Sequence, residues 1–234
     1  MIDLHCHILA AIDDGPEDIS QSMEMARIAV ADGITTIVAT PHVKDTILPA
    51  TVIREKVAAF NSRLAAEKIP LTILAGADVY AMLSPSLFPG LTINYTPYIL
   101  IEFPHSHLPR NAHEILFKMI AQGYRPIITH PERNGSVLQN PALLFGLLEI
   151  PTLVQITADS LCGNFGPGIQ ACAIHLLERN AVHFIATDAH SPHFRRPILS
   201  AALKIATKII GKEKAMRLVA DHPRAVINGD LLWP

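Results

Sequence analysis

Residues 18–42, DISQSMEMARIAVADGITTIVATPH, contain the unit that decides the fold. Residues 19–32 carry apolar side chains at helical spacing, with Asp18 as the N-cap and Gly33 as the stop. Residues 34–40 then form a short, β-branched run of Ile, Val, Ala and Thr without a charged residue, the pattern of a strand buried on both faces. His42 stands just past that run.

The unit recurs along the chain. Further strands are expected at 1–5, 71–78, 98–103, 126–130, 153–157 and 183–187, and further helices at 52–68, 112–122, 169–179 and 198–211. Gly123 ends its helix as Gly33 does. Strand–helix alternation predicts a parallel sheet with crossover helices. About seven units is close to the number that closes a barrel. An open doubly wound sheet would gather its site at one switch point. Here nearly every strand ends in a candidate ligand, which favours strand ends converging on one rim. No repeat, linker or low-complexity segment divides the chain, so 1–234 is read as one domain.

Half of the 234 residues are hydrophobic and the net charge is −2. The core can be large, and no basic stripe offers to neutralise phosphates, so nucleic acid is not an expected partner. Cys6, Cys162 and Cys172 are too widely spaced for a disulfide framework or a CxxC site, which suits a reducing cytoplasm. No Arg follows a Cys at the sixth position, which excludes the cysteine-phosphatase loop. Asp3, His5 and His7 interrupt the only apolar run at the N-terminus, and no stretch approaches a membrane span. A cytoplasmic protein, not itself in the membrane, is expected.

The ligand candidates share one structural position. They are His5 and His7 in DLHCH, His42 in VATPH, Asp78 in LAGADVY, Glu102 in ILIEFP, His130 in IITHPER, and Asp188 and His190 in IATDAH. His5 and His7 are two apart on a strand and face the same way, leaving Cys6 to the core. Asp188 and His190 repeat the spacing. Nitrogen and oxygen ligands without thiolate suit Mn²⁺, Fe²⁺ or Zn²⁺ and disfavour a closed structural zinc site. The ligands outnumber the needs of one ion, so two or three ions sharing carboxylates are expected. Asp13 and Asp14 lie in a turn, IDDGP, where acidic residues are as readily solvated as bound. His105 and His107 copy the HxH spacing beyond Glu102 and are read as rim residues. His113, His175 and His222 fall in helical patterns, and His183 opens a strand away from the site. Arg133, three residues past His130, and Arg195 or Arg196, just past His190, are positioned to grip phosphoryl oxygens, with Arg195 preferred.

These motifs, in this order, resemble the PHP superfamily of metal-dependent phosphoesterases. IDDGP, GITTIVATPH, THPERN and QITADSLCGNFG are similar to its branch of bacterial tyrosine phosphatases encoded with capsule and exopolysaccharide genes. The resemblance implies an α/β fold, a distorted seven-stranded (β/α)7 TIM-like barrel, with a site of up to three ions, usually Mn²⁺. One ion would take His5, His7, Asp78 and Asp188, a second Asp78, Glu102 and His130, and a third Asp14, His42 and His190. Arg133 and the Arg195 region match the substrate-gripping arginines. The implied substrate is the phosphorylated tail of a membrane-associated bacterial tyrosine kinase of polysaccharide export. The chain departs from the branch at Asp78, where Glu is usual.

The expected chemistry is in-line attack by a metal-bound hydroxide, without a covalent enzyme intermediate. A phenolate leaves with little protonation, which accounts for the lack of an obvious dedicated acid. Bound water or a cluster histidine, His190 among the candidate catalytic residues, then serves. Two other readings stay open: a PHP phosphatase acting on histidinol phosphate or another small ester, and a metal-stabilised binding module. An amide- or lactone-cleaving barrel hydrolase is less consistent, because none of the strands ends in the Lys that many of them use.

Overall fold

Pro41 has no N–H for a strand ladder, and at Thr40–Pro41 the second strand changes sheets. The computed structural model describes residues 1–44 and 48–232. The first sheet orders β1 (Ile2–Cys6), β2 (Thr36–Ala39) and β4 (Thr72–Ala75). The second orders β3 (His42–Val43), β5 (Asp78–Tyr80), β6 (Tyr98–Glu102), β7 (Arg125–Thr129), β8 (Leu153–Thr157) and β9 (Phe184–Ala186). Every pairing is parallel.

The seven expected strands are all present, two of them split. The runs 34–40 and 71–78 break side by side and pass from one sheet to the other. Gly76 sits in the second break because the chains touch there: a Cβ would come within 2.8 Å of Val38 Cγ1. Gly76 N and Asp78 N still donate to Ala39 O and Pro41 O, at 3.0 and 3.1 Å. Between β1 and β9 there is no ladder. A single bridge joins Cys6 and Ala189, and His7 N donates to Ala189 O at 2.8 Å.

Helices α1 (Ile19–Ala31), α2 (Ala50–Ala66), α3 (Ala112–Ala121), α7 (Pro167–Glu178) and α8 (Ser200–Ile210) fall where expected. Asp18 caps α1 by accepting from Ser20 N and Gln21 N. Gly33 and Gly123 both adopt φ +89° past their helices, a value that costs a side chain. Short helices α4 (Gly135–Gln139), α5 (Ala142–Leu147), α6 (Ala158–Cys162) and α9 (Lys212–Met216) lie outside the expected helices, while α10 (His222–Asn228) begins at His222, which the sequence places in a helical pattern. At five or six residues each, the first four show too little periodicity to be seen.

The strands bury both faces. Ile2, Leu4, Val38, Tyr98, Leu100, Ile127, Leu153 and Phe184 form one inner cluster drawn from both sheets. Their neighbours, such as Ile37, Ile99, Ile128, Val154 and Ile185, pack outward in the larger core. Two residues on from several inner positions the side chain turns polar: Leu100 to Glu102, Ile127 to Thr129, Leu153 to Gln155. The apolar layer is thus a floor beneath a polar one.

His183 carries a testable cost of this burial. Val154 N donates to its Nδ1 at 3.0 Å, which requires a neutral ring. Burial first, then nearby His222, lower its pKa from 6.5 to about 4. Because the folded value is depressed, the unfolded chain binds the extra proton between those pH values. The stability is therefore full above about 6.5 and is lost as pH falls toward 4. The loss is on the order of 3 kcal/mol. Denaturant melts of wild type and His183→Leu should converge as pH drops from 7 to 4.5. A difference that stays constant with pH would remove the assignment.

Candidate metal centre

A register slip aims the first histidines. Asp3 pairs with Ile37 and Cys6 with Ala39, so β1 spends one residue more than β2 over this stretch. Such a bulge turns successive side chains to the same face. Leu4 lies in the inner cluster, and His5 beside it faces Gln155 and Asp188. Asp3 anchors the slip by accepting from His5 N at 3.4 Å and from Thr187 N at 2.9 Å, tying β1 to the segment after β9.

The candidate ligand side chains lie close to one another in the structure. His5 Nε2 is 3.2 Å from His7 Nε2, 3.4 Å from Asp188 Oδ1 and 3.8 Å from Asp78 Oδ2. His42 Nδ1 is 3.2 Å from Asp78 Oδ2 and 3.6 Å from Glu102 Oε2. Asp14 Oδ1 is 3.4 Å from His190 Nε2 and 3.7 Å from His42 Nε2. His130 Nε2 is 3.6 Å from Glu102 Oε1. His42 and Asp78 are direct register partners across β3 and β5, so the strand breaks put them side by side.

Asp188 and His190 differ from expectation in their backbone. β9 ends at Ala186, and Asp188 has φ +51°. The left-handed turn, rather than strand alternation, aims the carboxylate. His130 and Arg195 are likewise left-handed, at φ +34° and +52°. Three non-glycine residues in this sparsely populated region at one site mark a geometry imposed by the surroundings.

Partners outside the ligand set orient the imidazoles. His7 Nδ1 donates to Asp13 Oδ2 at 2.6 Å, His5 Nδ1 to Gln155 Oε1 at 2.8 Å, and His190 Nδ1 to Asp188 O at 2.9 Å. Each bond leaves Nε2 free to face the centre, the arrangement that supports metal-bound histidine. Asp13 also accepts from Gly15 N and His42 N. Of the two acidic turn residues, Asp14 therefore faces the ligands, while Asp13 holds His7. Sequence reasoning missed the roles of Asp3 and Gln155. Gln155 had a signal: an amide in the middle of an otherwise apolar strand needs a partner.

Charge in the cluster is strongly perturbed. Burial opposes ionisation of Asp188 and Asp78, but neighbouring imidazoles, with Arg195 beside Asp188, hold both carboxyls below the ordinary range. Burial also opposes charge on His7, yet Asp13 and Asp188 outweigh it and hold its pKa up at about 10. His130 is pushed well down by burial. Among the described residues, His42 Nδ1, Asp78 Oδ2 and His190 Nε2 are buried without a hydrogen-bond partner. Orphaned buried donors and acceptors are costly, and three of them at the meeting point of nitrogen and oxygen ligands fit a divalent cation centre.

Two arginines close the site. Arg133, in a single 3₁₀ turn at Pro131–Arg133, donates from Nη1 to Asp188 Oδ2 at 2.6 Å. Arg195 donates from Nη2 to the same oxygen. Arg196 is exposed, so Arg195 is the one aimed at the cluster. Both guanidinium groups lie over the Phe165 ring, at 4.9 and 6.0 Å from its centroid. Phe165, also unforeseen, attracts them through its ring face. A cleft of about 630 Å³, lined by Phe165, Phe194, Arg195 and Arg196, opens beside them. A smaller apolar cavity of about 220 Å³ lies at the other strand ends, beside Tyr98, Arg125 and Leu153, and holds none of this chemistry.

The capsular polysaccharide synthesis family CpsB/CapC matches residues 1–228. Tyrosine-protein phosphatase YwqE of Bacillus subtilis (strain 168) is 44% identical over 220 residues, covering 91% of this chain and 86% of that protein. Tyrosine-protein phosphatase CpsB of Streptococcus pneumoniae is 30% identical, covering 99% of this chain and 100% of that protein. Crystallography of YwqE and of the pneumococcal CpsB, described as metal-dependent tyrosine phosphatases, provides a structure with a TM-score of 0.94 and 38% identity. It covers 100% of this chain and 96% of that one. A match over nearly the whole length, with the ordered strand-end motifs behind it, places this chain in the CpsB/CapC family.

Proposed function

We propose that this chain is a metal-dependent protein-tyrosine phosphatase. One observation carries the reading: orphaned imidazole and carboxylate atoms converge beside two arginines that share one carboxylate oxygen. His5, His7, Asp78 and Asp188 would hold one ion, Asp78, Glu102 and His130 a second, and Asp14, His42 and His190 a third. Mn²⁺ is the proposed ion, with iron or zinc able to use the same ligands. Bound there, divalent ions lower the pKa of water and neutralise phosphoryl charge.

The chain's own residues do the rest. Arg133 and Arg195 turn from Asp188 to the phosphoryl oxygens and stabilise the charge that develops in transfer. Gln155 and Asp13 keep His5 and His7 oriented, so the site is set before substrate arrives. The cleft at Phe165 and Phe194 receives the peptide around the phosphotyrosine. His190 faces Asp14 at the rim, and its backbone N–H donates to Arg195 O at 3.0 Å. The fold is proposed as one domain, a distorted (β/α)7 barrel in which the two sheets are halves sharing one inner core. The proposed substrate is the phosphotyrosine tail of a membrane-associated kinase of polysaccharide export, met in the cytoplasm. Among the described residues, no helix is long and apolar enough to cross a membrane.

Substrate competition tests this. With Mn²⁺ present, kcat/KM on a phosphotyrosine peptide should exceed that on histidinol phosphate or a phosphoserine peptide by at least about tenfold, because Phe165 and Phe194 line the cleft and offer apolar contact to an aromatic side chain. A preference for histidinol phosphate would replace the reading with that of a small-ester phosphatase.

A further inference from the structure

We propose that His105 is a further metal ligand, completing a coordination shell with Glu102 and His130; this rests on the metal reading above. His105 Nε2 lies 3.3 Å from Glu102 Oε1, and His130 Nε2 lies 3.6 Å from the same oxygen. One ligand atom from each of the three residues falls in a group within 4.8 Å. For metal–ligand bonds of about 2.1 Å, neighbouring ligand atoms around one ion stand roughly 3.0–3.5 Å apart. The observed spacings fit a shared ion better than hydrogen bonds, which close to about 2.8 Å in a charged pair.

The bland alternative is a surface His–Glu pair at i,i+3, worth little. Three features separate His105 from such a pair. Its ring stacks on that of buried His130, with centroids 5.2 Å apart and planes at 12°. Glu102 is buried, so its carboxylate needs strong partners. The backbone of the loop is also clamped. Gly135 N donates to His105 O at 2.8 Å, Asn134 Nδ2 to Pro104 O at 2.7 Å, and Leu108 N to Ser136 Oγ at 3.2 Å. Gly135 permits this approach, since a Cβ there would meet Ser106 O at 2.5 Å. The segment after His130 therefore holds the loop that carries His105, and the two imidazoles are fixed relative to each other. His107, two residues on, is exposed, and its ring Nδ1 lies 2.9 Å from Ser106 Oγ.

His105 then gives the second ion a nitrogen ligand from outside the strand ends. Mn²⁺ titration of the whole protein, followed by the electron-spin resonance of free Mn²⁺, reads this without reference to turnover. In His105→Ala, one class of bound Mn²⁺ should weaken by about tenfold or more while the remaining ions keep their affinity. Gly135→Ala, which displaces the loop but removes no ligand, should weaken the same class, and His107→Ala should leave it unchanged. The exposed loop position makes His105→Ala safe for folding, to be checked by its melting curve. Wild-type stoichiometry and affinity in His105→Ala would overturn this ligand while leaving the metal phosphatase reading intact. Failure of the wild type to bind divalent metal would overturn both.

Discussion

Stripping divalent ions from the protein is expected to abolish phosphotyrosine hydrolysis and to lower the unfolding temperature, with Mn²⁺ restoring both. The cluster brings five imidazoles together with Asp14, Asp78, Glu102 and Asp188. Without cations, the buried polar atoms of His42, Asp78 and His190 lack partners. An ion that binds only the folded chain adds about 2.7 kcal/mol at a hundredfold excess over its dissociation constant. For a domain of this size that is roughly 5–10 °C per ion. Calorimetry and turnover on one chelator-treated sample, before and after Mn²⁺, measure both effects. Full-rate hydrolysis by protein with no metal detectable by elemental analysis would end the mechanism.

Arg133→Ala is expected to cut kcat/KM on a phosphotyrosine peptide by about 10²-fold or more while metal content is retained. Arg133 bonds Asp188, yet its loss should not cost an ion, because removing a cation from the carboxylate leaves Asp188 Oδ2 freer to coordinate. Its effect should therefore appear in catalysis alone. Arg195→Ala should act in the same direction, whereas exposed Arg196→Ala should stay near wild type. Parallel kinetics and metal analysis decide this. Near wild-type kinetics for Arg133→Ala would make it a structural partner of Asp188 only.

The sequence disclosed the parallel α/β order and the positions of eight ligand candidates because burial on both faces leaves long apolar runs, and a polar residue at or just past their ends stands out. What it hid was set by contacts across the chain. The bulge that turns His5 inward follows from the pairing of Asp3 with Thr187, 184 residues away. The split of the 34–40 and 71–78 runs follows from the close approach of Gly76 to Val38. Asp13 and Asp14 are adjacent and chemically alike, so only the fold separates the residue that holds His7 from the one that faces His190. Phe165 is one apolar residue among many until two guanidinium groups lie over it.

The seam between the two sheets has a dynamic consequence. His5 is on β1 and His7 just beyond it, in the three-stranded sheet, while His42, Asp78 and Glu102 belong to the six-stranded one. An ion held by both His5 and Asp78 would therefore be a rivet across the line where the ladder is interrupted. Opening the seam and releasing such an ion would become one event, with one free energy. Metal supply would then govern the place where the ladder is interrupted, and the breathing of the fold and the filling of its centre would share a single clock.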